Sequence, residues 1–243
     1  ADQSLVSHGR VLAVGTESRP IRIMPEQAGV PWGTFSLQGH GADSSLLHWV
    51  EVAQGGGAIV DRVEYIGMFN IHRADGVVIE HSTFRDNLRS DDTFHALHSR
   101  FYLRHSSVLR ANSDAIDLDI SSGELLNNVI ENSGGDGIDL MSSTPRIIGN
   151  RVSGSGDKGI SIGEASKLCV VFQMNIGPRM VVWHVRPEPI RKSGNDFFDD
   201  SARSMLLKLL DDRTALPEPP PEVADQYRGR TVNIALAGDI HGD

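Results

Sequence analysis

The chain has 243 residues, 39% of them hydrophobic, and a formal charge of −9 from 32 acids against 23 bases. That is enough apolar material for one large domain, and it excludes global disorder. The acidic balance disfavours a nucleic-acid binder, which needs a cationic face to displace counterions. Cys169 is the lone cysteine, so an intrachain disulfide and a thiolate metal cluster are both excluded. No apolar run approaches the ~20 residues that span a bilayer, so no transmembrane segment is expected. The opening ADQSLVSHGR lacks the basic start and apolar run of a signal peptide.

Trp49, in LLHWVEV, is expected in the core, while Trp32 and Trp183 are further aromatic side chains able to pack or to stack on sugar rings. Gly55 to Gly57 lack the strand-to-helix context of a phosphate loop. From Val78 the chain repeats itself. VIEHSTFRDNLRSDDTFHALHS, YLRHSSVLRANSDAIDLDIS, LLNNVIENSGGDGIDLMSS and IIGNRVSGSGDKGISIGEAS align in register. Ile79, Leu103, Leu125 and Ile147 form one apolar column, and Phe84, Val108, Ile130 and Val152 a second. Phe94, Ile116, Ile138 and Ile160 form a third, with Ala96, Leu118, Leu140 and Ile162 as a fourth. The step is 22 residues, except that a longer loop around Leu88 to Asp91 adds two to the first interval of the first two columns.

Apolar and polar residues alternate within each repeat, as in strands, and Asn, Gly, Ser and Asp cluster between the runs, as in turns. A helical repeat would space its apolar residues by three and four and would not carry 25 glycines. Short strands stacked at one coil per repeat make an all-β solenoid, a right-handed, single-stranded parallel β-helix whose coils bury their columns against one another.

Alternation makes the acidic residues a ladder. If Ile116 and Leu118 face in, Asp117 and Asp119 face out, and the outward column reads His95, Asp117, Asp139, Ser161. Coils ~4.8 Å apart would set neighbouring carboxylates repelling by about 3 kcal/mol at an effective dielectric near 20. A cation, a shared proton or a base can relieve that. The column is therefore either a solvated polar face or a groove, with Asp117, Asp139 and His95 as catalytic candidates and Asp117, Asp119 and Asp139 as ligands for a divalent cation. A second acidic column, Asp92, Asp114, Asp136 and Asp157, falls where turns enter strands and is expected to cap backbone amides. His81 and His105 share another column with Asn127 and Gly149, able to bind metal or simply to stack.

NNVIENSGGDGIDL and GNRVSGSGDKGISIGEAS resemble the parallel β-helix repeats of the pectin-lyase-like superfamily, and GTESRPIRI and PWGTFSLQG are similar to opening coils of bacterial secreted β-helix proteins. The resemblance covers residues 5 to 172 and implies a secreted or cell-surface setting with a polysaccharide partner. Lyases of this superfamily hold calcium on aspartates and take a proton with Lys or Arg, for which Lys158, Arg104 and Arg146 are the candidates. NSDAID resembles the first polygalacturonase block; GGDGID offers one aspartate where the second block has a pair, and GDKGISIG has no histidine block. The fold also hosts non-catalytic solenoids.

The repeat decays after Val171, and QMNIGPRMVVWHV keeps strand character without column register. SARSMLLKLLDD reads as a short amphipathic helix capped by Ser201, within an irregular segment over 173–215 that is expected to close the solenoid. A stiff proline-rich linker, LPEPPPE, opens the last segment, 216–243. There VNIALAGDIHGD resembles the first block of calcineurin-like metallophosphoesterases, which implies Asp239 and His241, with Asp243, as ligands of a two-metal centre whose later blocks do not follow. Three readings thus stand: a polysaccharide-binding β-helix with or without cleavage, a structural or interaction solenoid, and the leading segment of a phosphoesterase.

Overall fold

The computed structural model describes residues 3–163, 166, 169–176 and 179–185, the last two stretches as strands. The expected helix after Ser201, the proline linker, Asp239, His241, Asp243 and the side chain of Trp183 lie outside the described residues. The first coil is β1 (Leu5–Ser7), β2 (Leu12–Val14) and β3 (Ile21–Ile23), and the second is β4 (Phe35–Gln38), β5 (Leu46–His48) and β6 (Val50–Ala53). A hairpin, β7 (Ala58–Val60) with β8 (Val63–Tyr65), is inserted before the third coil of β9 (Gly67–His72), β10 (Asp75–Glu80) and β11 (Thr83–Arg85). Next come β12 (Asp92–Leu97), β13 (Arg100–Arg104) and β14 (Ser107–Leu109), then β15 (Asp114–Asp119), β16 (Ser122–Leu126) and β17 (Val129–Glu131). The sixth coil is β18 (Ile138–Met141), β19 (Thr144–Ile148) and β20 (Arg151–Ser153), followed by β21 (Ile160–Ile162), β22 (Cys169–Ile176) and an antiparallel β23 (Arg179–Val185).

Every third strand pairs in parallel with its counterpart one coil on. The front sheet therefore runs β1-β4-β9-β12-β15-β18-β21, the second β2-β5-β10-β13-β16-β19-β22-β23 and the third β3-β6-β11-β14-β17-β20. This is the right-handed parallel β-helix that the columns predict. Register pairs Phe94 with Ile116, Ile116 with Ile138 and Ile138 with Ile160, and the other three apolar columns stack likewise. Phe35, Phe69 and Phe94 stack along the front sheet's inner face, with ring centroids 5.1 and 5.2 Å apart, and Phe84 and Phe101 reach them from the other two sheets. Edge-to-face and tilted contacts of this kind add to the burial of the rings.

The corners obey a stricter rule. From the second coil on, the turns use left-handed residues, and these align: Arg73, His98, Ile120 and Ser142 at one corner, and Trp49, His81, His105, Asn127 and Gly149 at the next. The amides of Arg73, His98, Ile120, Trp49, His81, His105 and Asn127 each bond to a carbonyl of the following coil, as from Ile120 to Met141 at 2.8 Å and from Asn127 to Ile148 at 2.9 Å. Trp49 is thus a half-buried corner residue stacked on His81 at 4.9 Å, not the core residue its apolar neighbours suggest, and His81 stacks in turn on His105 at 5.4 Å. Trp32 packs against the core and donates its indole N–H to the Ala53 carbonyl.

Ile120 is the misfit. A β-branched side chain at φ 49° is sterically penalised, and this one is 52% exposed, so packing offsets little of the cost. Ile120→Asn is expected to stabilise the protein by about 0.5–1.5 kcal/mol, read as a raised urea midpoint at unchanged slope. A lower midpoint would mean that Ile120 makes contacts worth more than its strain.

Candidate functional site

The outer faces of the second and third sheets are neutralised rung by rung. Arg104 lies 3.5 Å from Glu80 and 2.9 Å from Glu124, which Arg146 also reaches at 2.9 Å. Glu51 binds both Arg22 and Arg85 and, despite burial that pushes it up, is held below the usual carboxylate range by them. Arg104 and Arg146 are therefore committed to ion pairs on another face, away from the acidic ladder.

The front sheet is different. Its outer column runs Ser36, Asn70, His95, Asp117, Asp139, Ser161 in unbroken register. The β7–β8 hairpin closes the first rungs. Tyr65 stacks on His72 at 5.2 Å and donates to Gln38 at 3.2 Å, and the Asn70 amide is satisfied by Thr34, Ser36 and Gly67. His95 is 3% exposed at the end of this cover, whereas Asp117, Asp139 and Ser161 are half-buried on an open face.

At the boundary, ligand-type atoms of Asp92, His95 and Asp117 lie within 4.8 Å of one another. Asp92 is 1% exposed, buried where its amide meets the Ile66 carbonyl at the hairpin's exit, and its Oδ2 has no hydrogen-bond partner. His95 Nδ1 stands 3.1 Å from His72 Nε2, while its Nε2 is buried without a hydrogen bond, 3.5 Å from Asp119 Oδ2. Burial first, then Asp117 and the other aspartates, pushes Asp92 up to about 9, and burial, then Asp119 and Asp139, pushes Asp117 up to about 8. Burial and the neighbouring His95 push His72 down to about 4, so it is neutral near pH 7. The environment disfavours further negative charge and would favour a cation.

A second group, Asp114, Asp136 and Asp139, is also within 4.8 Å but is bonded into the backbone. Asp114 accepts the Asp136 amide at 2.6 Å, Asp136 the Lys158 amide at 2.7 Å, and Asp139 the Leu140 amide at 2.8 Å. Lys158 Nζ adds a cation 3.8 Å from Asp136. For Asp114 and Asp136 these are the capping roles expected of the turn column; Asp139, from the outward column, accepts an amide as well. The turn column, however, continues from Asp136 to Lys158, because the Asp157 amide pairs with Gly135 instead.

The structure thus divides the expected set. Asp117 joins His95; Asp139 sits one rung on, among capping aspartates; Asp119 faces His95 Nε2 from outside both groups. Asp92, read from sequence as a turn former, is instead a buried acid with one oxygen unpartnered. The one available signal was positional: Asp92 follows the irregular Leu88 to Asp91 loop and precedes His95 by three residues. His72 lies before the aligned repeats and had no signal.

Residues 68–172 match the family described as a right handed beta helix region, which spans the coils from β9 to β22. No curated protein and no solved structure matches the chain. No helix among the described residues is long and apolar enough to cross a membrane.

Proposed function

We propose that this right-handed parallel β-helix repeat protein, in a secreted or cell-surface setting, binds polysaccharide along the open outer face of the front sheet and cleaves it there. What carries the reading is the ladder itself. Asp117, Asp139 and Ser161 stand on consecutive coils, so hydrogen-bonding groups repeat every ~4.8 Å along a straight face, a match for an extended hydroxyl-rich chain. The hairpin gives that face a closed end at His95. Asp139, held above the usual carboxylate range by burial although Ser161 bonds to it, is assigned the proton-donor role. Asp117 and His95 are assigned the positioning of the attacking water. A uronate-rich chain would need a cation on this face to offset its charge.

The second reading, a non-catalytic solenoid, is favoured by one observation: Asp114, Asp136 and Asp139 each accept a backbone amide. A glycan panel separates the two. Binding is expected to weaken at least tenfold in Asp139→Asn and Asp117→Asn with the melting temperature retained, and product release to vanish in Asp139→Asn. Binding without any product favours the solenoid, and a panel with no ligand at all ends the polysaccharide proposal. The phosphoesterase reading concerns residues outside those described.

A further inference from the structure

We infer that Asp92, His95 and Asp117 form a site for one divalent transition-metal ion of the zinc class, with His72 fixing the ligating tautomer of His95. The inference does not depend on glycan binding. Two side chains in the group are almost wholly buried, and each holds a polar atom without a hydrogen bond: Asp92 Oδ2 and His95 Nε2. Buried polar atoms are nearly always paired, and each exception asks for an explanation. The second acidic group, whose oxygens cap backbone amides, has no such atoms and carries no comparable claim.

The donor set selects the metal. Calcium and magnesium take oxygen ligands, and an imidazole nitrogen with two carboxylates suits zinc and its neighbours. Two carboxylates and an imidazole also leave room for a dication, which removes the mutual repulsion of the acids. Donor atoms at about 2.0–2.2 Å from zinc stand no more than ~4.4 Å apart, so a group already within 4.8 Å closes with small side-chain shifts.

The surroundings are those of a held ligand. Metal-bound histidines give their other ring N–H to an acceptor, which fixes tautomer and orientation. His95 Nδ1 has that acceptor in His72 Nε2, 3.1 Å away, and His72 is itself pinned under Tyr65. Gly67 pairs with Asp92 in register, and a Cβ there would fall 2.9 Å from the Cβ of His95, so glycine at this rung leaves the imidazole its space. Asp119 Oδ2, 3.5 Å from Nε2, is a further oxygen at the open side.

The test uses the full chain, stripped with chelator, and the metals alone. Zinc is expected to bind with one equivalent at this site in calorimetry and to raise the melting temperature by several degrees, with calcium and magnesium giving no shift at equal concentration. His95→Gln and Asp92→Asn are expected to abolish both effects, and His81→Gln, at the stacked corner histidine, to keep them. X-ray absorption of the zinc-loaded wild type, which needs no variant, is expected to show one imidazole among oxygens. The inference is overturned if zinc acts equally on His95→Gln and Asp92→Asn, or if calcium alone shifts the melting point. It is also overturned if no metal binds, or if the absorption spectrum shows sulfur from Cys169 or only oxygen.

Discussion

Chelator-treated protein is expected to lose stability as pH rises from about 6.5 to 8, and Asp92→Asn to reduce that loss. Asp92 and Asp117 are pushed up to about 9 and about 8 in the fold, against about 3.9 for an unfolded aspartate. Between those limits the folded state holds more protons than the unfolded one, so stability falls with rising pH. His72 works the other way. With a folded value of about 4 against about 6.5 unfolded, it makes stability rise with pH between those two values and has no effect above them. The decline is therefore steepest from about 6.5 to 8. Counting one extra proton for the interacting aspartates, that interval costs about 2 kcal/mol, at about 1.4 kcal/mol per unit. For a chain of this length it appears as a melting-point drop of roughly 4–8 °C. Below about 4, Glu51 and Asp86, held down in the fold by their arginines against the pull of burial, lose their contribution as they are protonated. The optimum then lies in weak acid. Calorimetry at matched ionic strength reads all of this, and a melting point that climbs towards pH 8 would mean the two aspartates ionise without penalty.

The coil register was open to inspection in the sequence because it is set by an arithmetic repeat. Ile116, Ile138 and Ile160 have to stack once the step is 22, and Asp117 and Asp139 have to follow them to the other face. What the repeat could not supply was depth. His95 and Asp117 occupy the same column, yet His95 is buried against His72 and Asp117 is half-open. Asp92, at the start of the same strand, is buried with an oxygen left unpartnered. Nor does a repeat distinguish a polar residue that ends a strand from one that points inward. Ser82, Ser106, Asn128 and Asn150 were grouped with turn residues by composition, and all four are buried beside a left-handed corner.

That inward ladder is where truncation will cost most. Asn128 Oδ1 accepts the Ser106 amide at 2.9 Å, and its Nδ2 donates to the Leu103 carbonyl and to Asn150 Oδ1, both at 2.8 Å. Asn128→Ala leaves two buried backbone groups without these partners, at about 1–3 kcal/mol each, and leaves a small void besides. The expected loss is roughly 3–5 kcal/mol. Asn128→Ser should recover about half of it, since at Ser106 a hydroxyl accepts the Ser82 amide in the equivalent place. The Asn128 amide in turn bonds to Asn150 Oδ1 at 2.9 Å, so each side chain serves the coil before it. Asn128→Ala combined with Asn150→Ala should therefore be non-additive, as neighbours in one hydrogen-bonded network are. Urea unfolding of the four proteins of that cycle measures the coupling. If Asn128→Ala costs under about 1 kcal/mol, or if the two losses simply add, the stacked amides only fill space and the coils are held together by their apolar columns alone.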